Sequence, residues 1–328
     1  MTLVPVCHVP GRHCASTGLS NMARFHGLDW SEAFAFGLGE GLGIWYLAFP
    51  GLPASRMVHV RSQDIEARFV TALGLDFSWA TAQDPEESEA ALMAALDKGV
   101  PAIIQTDIFH LPYFGTRTHF PGHVITVWGY DAGRRVFFVT DTERDRLLEV
   151  DFDSMRRARH NGDGFFPLAG NLFAPETLPR PRDMAGITAR AVASQSRAIL
   201  APREAFGGIP GLQALMDDLP RWESLPDRQW AARFAYQVIE KRGTGGGGFR
   251  LIYADFLEEA ARLVPEVEKL RLPERMRALG EAWTALALAL REASEEKLPN
   301  FSGALDKAGI LMELSKSYHA DAANLCGA

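Results

Sequence analysis

Cys14, His123 and Asp141 are residues whose types, order and local settings suit nucleophilic chemistry. Cys14 sits in Gly11-Arg12-His13-Cys14-Ala15-Ser16-Thr17-Gly18-Leu19, where a loop gives way to Leu19, Met22, Ala23 and Phe25 at helical spacing, with Gly27 as a stop. The thiol therefore falls in the first turn of a helix, where the positive end of the helix dipole favours a thiolate. His123 opens the apolar run Val124 to Tyr130, and Asp141 follows the run Arg135 to Thr140. A turn at Asp131-Ala132-Gly133 makes these two runs a hairpin that carries position 141 back towards 123. A carboxylate placed there would hold the imidazole in one tautomer while the other ring nitrogen faces a nucleophile. Each residue alone has an ordinary reading: a structural histidine, a turn-forming acid, a small buried cysteine. Their combination points to a Cys-His-Asp site.

The elements that must position them are mixed in the first half. Helices are predicted over 14–26, 31–37 (capped by Ser31) and 63–73 (capped by Ser62 and ended by Gly74). Asp84-Pro85-Glu86-Glu87 starts another that ends at Gly99. Short strands are predicted at 56–60, 101–106, 123–130, 135–140 and 147–150. Arg156-Arg157-Ala158-Arg159 reads as a solvated helix face. Helices followed by an antiparallel sheet give an α+β fold. Residues 161–183, rich in Gly, Pro and Asn, mark a domain boundary. Beyond it helical patterns run over about 186–200, 209–219, 226–241, 249–263, 272–294 and 302–325. The apolar face of 272–294 leaves two options, burial within the domain or against another copy in a homo-oligomer.

Composition narrows the function. At 328 residues the chain is long enough for two domains with their own cores. The net charge of −7 and the absence of a basic run argue against nucleic acid as partner. No stretch reaches about 18 uninterrupted apolar residues, so no membrane span is expected, and the N-terminus does not read as a signal peptide. Three cysteines, Cys7, Cys14 and Cys326, are too few and too odd for a disulfide scaffold and suit a cytoplasmic protein.

His13-Cys14-Ala15-Ser16-Thr17, the run Phe36 to Gly43, Leu111-Pro112-Tyr113, and Gly122-His123 with Gly129-Tyr130-Asp131 resemble the N-terminal domain of the butirosin biosynthesis protein H family. They also resemble the wider papain-like cysteine peptidase fold in its C39-like branch. Arg242 to Arg250 and Tyr253 to Ala260 resemble the helical domain that accompanies it. The resemblance implies a papain-like catalytic domain over 1–165, with an antiparallel sheet, and an all-helical accessory domain over 184–328. It implies acyl transfer: Cys14 attacks a thioester, His123 is the general base that delivers an amine to the acyl-enzyme, and Asp141 orients His123. The donor would be a phosphopantetheine thioester on an acyl carrier protein, the acceptor a small-molecule amine, and no bound cofactor is expected. The alternative with the same residues is a cytoplasmic cysteine peptidase or amidase. The fold's usual oxyanion glutamine is missing from residues 1–13; His8 stands near its place, beside the backbone N–H of Cys14.

Other motifs are weaker. The alternating glycines from Gly37 to Gly43 do not match a dinucleotide fingerprint and suit close backbone packing, with Glu40 as a candidate reader of a polar substrate group. Gly243 to Gly248 lacks the Lys-Ser or Lys-Thr of a phosphate loop and reads as a flexible link, flanked by Arg242 and Arg250 as candidate phosphate contacts or solvated arginines. Asp107 and Tyr113 are candidate contacts for an amine or polyol. With His110 and His119 nearby, Asp107 lacks a regular ligand spacing, so no metal is expected.

Overall fold

A computed structural model describes residues 1–49, 51–161 and 167–325. Cys326 and part of the expected boundary at 161–183 lie outside the described residues. The first half runs β1 (Thr2–Leu3), α1 (Cys14–Phe25), α2 (Glu32–Leu38), β2 (Leu42–Leu47), β3 (Met57–Arg61), α3 (Ile65–Ala72), α4 (Pro85–Asp97), β4 (Ala102–Thr106), β5 (His123–Asp131), β6 (Val136–Thr140), β7 (Leu148–Asp151) and α5 (Phe152–Arg159). Three short strands follow: β8 (His160–Asn161), β9 (Leu168–Ala169) and β10 (Leu172–Phe173). The second half is helical: α6 (Met184–Leu200), α7 (Gly208–Asp218), α8 (Arg228–Glu240), α9 (Arg250–Ala261), α10 (Pro265–Lys269), α11 (Leu272–Glu295) and α12 (Ser302–Ala322). The fold is α+β. Among the described residues no helix is long and apolar enough to cross a membrane.

Two compact units emerge, and they do not follow a linear division of the chain. One comprises residues 1–35 and 73–181; the other comprises 36–72 and 182–328. The second unit therefore takes a β-hairpin and a helix from the first half of the sequence. The periodicity of 36–72 shows that it must bury an apolar face, and does not show against which partner.

In the first unit an antiparallel sheet runs β10-β4-β5-β6-β7, with β1 pairing the far end of β5. Strand β5 is apolar on both sides because both faces are covered, which buries its first seven residues. α1 packs on one face, where a Cβ on Gly18 would lie 3.4 Å from Val124 Cγ1 and 3.7 Å from Ile103 Cδ1. On the other face Leu92 and Leu96 of α4 and Phe152 and Met155 of α5 close a core over Ile104, Ile125, Val127, Phe137 and Val139. Burying each such side chain contributes about 1.5–3 kcal/mol.

The Arg156 to Arg159 segment corrects the expectation of a solvated face. Arg159 is fully buried. It donates to the carbonyls of Ser88 (3.0 Å) and Gly170 (2.7 Å), so it pins α4 to the chain before β10. Buried charge persists only with such partners.

The second unit holds the β2–β3 hairpin, α3 and the seven helices. The apolar face of α11 (Met276, Leu279, Trp283, Leu286, Leu290) is buried inside this unit. The glycine run is packed and not merely a flexible link. Gly247, at φ +57°, approaches the backbone of Gly280 so closely that a Cβ would lie 2.9 Å from its Cα. Arg250 is likewise no surface cation. It is buried, lies 4.9 Å from the Trp283 ring centroid, and donates to the carbonyls of Gly43, Val60 and Gly248.

Candidate active site

The site is built on the start of α1 and one end of the β5–β6 hairpin. His13, in an extended conformation (φ −122°, ψ 130°), is the N-cap, and its ring accepts from Ser16 N. Cys14 is thus the first helical residue, at the positive end of the helix dipole.

Glu32 fixes the loop leading into this helix. Its carboxylate accepts from the backbone N–H groups of Arg12 (2.9 Å) and His13 (2.7 Å) and from the hydroxyls of Ser16 (3.2 Å) and Thr17 (3.0 Å). A negative charge at this end also complements the helix dipole. Gly11 has to be glycine for this to close: a Cβ there would lie 2.2 Å from Thr17 Oγ1 and 2.6 Å from Glu32 Cδ. Nothing in the spacing of Glu32 announces this role, because half of its partners are backbone groups, which any residue type carries.

The hairpin brings His123 against Asp141. His123 Nε2 donates to both Asp141 oxygens at 2.9 Å, and the ring also hydrogen-bonds Cys14, which leaves Nδ1 as the nitrogen on the sulfur side. The register explains the contact. Gly129 pairs with Phe138, but Val127 pairs with Val139, so Trp128 is an extra residue on β5. This β-bulge shifts every residue before it onto the opposite face relative to β6. With Thr126 opposite Thr140, Asp141 falls opposite Ile125, on the same face as His123 and two residues away along the strand. Without the bulge the two side chains would point to opposite faces. Trp128 is anchored by its indole N–H, 2.7 Å from Thr140 Oγ1.

Asp141 is buried and fully partnered. Besides His123 it accepts from Tyr113 Oη (2.8 Å), Thr142 N (2.8 Å) and Thr142 Oγ1 (3.0 Å). Burial alone would raise its pKa; the His123, Tyr113 and Thr142 donors outweigh that and hold it below the usual carboxylate range. For His123, burial pulls the other way, yet the bond to Asp141 and the neighbouring Cys14 sulfur raise it to about 10. Phe114 meets the imidazole edge-on, 5.3 Å between centroids. Such an environment favours an imidazolium beside a sulfur anion.

The other candidates fare differently. His8 has both ring nitrogens engaged: Nδ1 accepts from Asn21 Nδ2 (2.8 Å) and Nε2 donates to Arg144 O (2.6 Å). Its only N–H is therefore committed to a carbonyl, which departs from the expected oxyanion role. With Gly11 N donating to Thr142 O (2.8 Å), His8 ties the loop before Cys14 to the segment after Asp141. Tyr113 is committed to Asp141, and burial raises its hydroxyl well above the ordinary tyrosine value. Asp107 is buried and accepts from the N–H groups of Phe109 and Phe120 and from His119. Asp107 is thus taken up by partners in its own segment, and the hydroxyl proton of Tyr113 is committed to Asp141.

Glu40 belongs to the second unit. It ends α2 in the left-handed region (φ 46°), a rare conformation for a residue with a side chain. Its carboxylate pairs with Arg68 and accepts from Ser194 Oγ (3.0 Å). Burial raises its pKa against the lowering effect of Arg68. With Asp64, Arg68 and Arg190 it lines a cavity of about 570 Å³. Two of the glycines around it pack tightly: a Cβ on Gly37 would lie 2.1 Å from the Phe256 ring, and one on Gly43 2.3 Å from Arg61 O.

Comparison with known families gives two matches. Residues 13–142 match the model of butirosin biosynthesis protein H, N-terminal, and residues 153–321 match a domain of unknown function, DUF4872. No curated protein matches the chain.

Proposed function

This chain belongs to the butirosin biosynthesis protein H-like family, an N-terminal butirosin H domain followed by DUF4872, and from that premise we propose that it is a cysteine-dependent acyltransferase of specialised metabolism with a papain-like catalytic domain. The observation that carries the reading is His123 bridging Asp141 and the Cys14 sulfur.

In the proposed reaction the Cys14 thiolate attacks the carbonyl carbon of an acyl thioester. The donor C–S bond breaks, and the departing thiolate takes a proton from the His123 imidazolium. An amine then attacks the Cys14 thioester, His123 accepts the amine proton, and collapse expels the Cys14 thiolate and releases an amide. Asp141 keeps Nε2 protonated throughout, so that Nδ1 does the proton transfer. The donor would be the phosphopantetheine thioester of an acyl carrier protein and the acceptor a small-molecule amine. The engagement of His8 favours transfer from a thioester over amide hydrolysis. A thioester is already activated and asks less of a second oxyanion donor than an amide does.

The test is to incubate the protein with an acyl thioester and follow intact mass. The expected result is a Cys14-dependent acyl adduct, absent in Cys14→Ala, that an added amine discharges to an amide. Release of free acid alone with every amine supplied would refute acyl transfer in favour of a hydrolase.

A further inference from the structure

The chain between β4 and β5 carries a second cluster that the proposed reaction does not use. Asp107, His110 and His119 each offer a ligand atom, and the three atoms lie within 4.8 Å of one another. We propose that they bind a divalent transition-metal ion, through one oxygen of Asp107 and one ring nitrogen from each histidine.

Two imidazoles and one carboxylate select zinc or a neighbouring first-row ion over calcium or magnesium, which prefer oxygen ligands. The carboxylate is already oriented. Asp107 is buried, and its Oδ1 accepts from Phe109 N (3.1 Å) and Phe120 N (2.9 Å), which turns Oδ2 towards His119. Outer hydrogen bonds of this kind fix a metal ligand in place. Phe109 stacks on the His119 ring at 4.0 Å between centroids, which restrains the imidazole. The His119 side chain is 56% exposed, so an ion can reach the cluster from solvent.

Asp107 Oδ2 and His119 Nδ1 stand 2.7 Å apart, a hydrogen-bond contact. Two ligands on a tetrahedral zinc at about 2.0–2.1 Å lie about 3.3 Å apart. The ion therefore replaces the shared proton and opens this pair by about half an ångström, a shift that an exposed histidine accommodates. Arg157 of α5 faces His110 and opposes a cation there, but its guanidinium is turned to Ser154 Oγ (3.0 Å). A bound ion would clamp together the two ends of the segment that carries Tyr113, the partner of Asp141, and that leads into His123.

The experiment uses the full chain carrying Cys14→Ala, which removes the thiol as a competing ligand. The protein is stripped with a chelator, freed of it, and titrated with Co2+, read by visible d–d absorption, and with Zn2+, read by calorimetry. One ion per chain is expected, with binding weakened at least tenfold by His119→Ala and by His110→Ala. Unchanged circular dichroism in His119→Ala, whose side chain is exposed, shows that the loss is not unfolding. No cobalt spectrum and no zinc heat with the intact cluster overturn the proposal, and so does binding that both histidine variants leave unchanged.

Discussion

Asp141→Asn isolates the charge that tunes His123. The substitution keeps the shape of the site: Asn Oδ1 can still accept from Thr142 N and His123 Nε2, and its amide N–H can donate to Tyr113 Oη. What it removes is the negative charge. In the wild type His123 rises from 6.5 to about 10 despite burial that pulls it down, and Asp141 acts ahead of Cys14 in raising it. The net rise, left after burial has pulled the other way, corresponds to about 5 kcal/mol at about 1.4 kcal/mol per unit and is shared between Asp141 and Cys14. If Asp141 supplies about half of that net rise, losing its charge moves the loss of the His123 proton from about pH 10 down to about pH 8. The imidazolium beside Cys14 therefore persists at pH 7 in the variant and is lost about two pH units earlier than in the wild type. Alkylation of Cys14 by iodoacetamide, followed by peptide mapping across pH 5–10, should show the inflection that marks loss of the His123 proton about two pH units lower in Asp141→Asn, with wild-type circular dichroism. A wild-type rate and pH profile in the folded variant would refute the assigned role of Asp141.

The same pair sets a stability window. The folded pKa of His123 lies above its unfolded value, so its stabilisation is full below about pH 6.5 and fades as pH rises towards 10; thermal melts should show the largest gap between wild type and Asp141→Asn at pH 5–6.5, closing by pH 10. Glu32→Ala strands two backbone N–H groups and two hydroxyls at the start of α1 and should cost about 1–3 kcal/mol in urea unfolding; an unchanged midpoint would contradict its clamping role. Gly37→Ala places a Cβ 2.1 Å from the buried Phe256 ring and should destabilise by about 1–3 kcal/mol, read as a lower melting temperature. A melting temperature equal to wild type would show that Phe256 repacks freely.

Six of the seven helices of the second half were legible because each carries its apolar stripe within its own sequence; the five-residue α10 is too short to show one. The hairpin of β5 and β6 was legible for the same reason, through Asp131-Ala132-Gly133 and two apolar runs. β2 escaped notice because Gly43 interrupts the alternation of a strand, and the buried Arg159 and Arg250 read as surface charge. Whether an arginine is solvated depends on which carbonyls approach it, and those come from residues distant in sequence.

At the site, local sequence was enough to put Cys14 at a helix start and His123 and Asp141 at one end of a hairpin, because turns and caps act over a few residues. It could not set the face on which each side chain emerges. The extra residue at Trp128 decided that by shifting the register, which depends on pairing between strands. The clamp of Glu32, the tying of His8 to Asn21 and Arg144, and the assignment of residues 36–72 to the helical unit were decided the same way. Each rests on hydrogen bonds or packing between segments whose proximity is a property of the folded chain and not of any stretch of it.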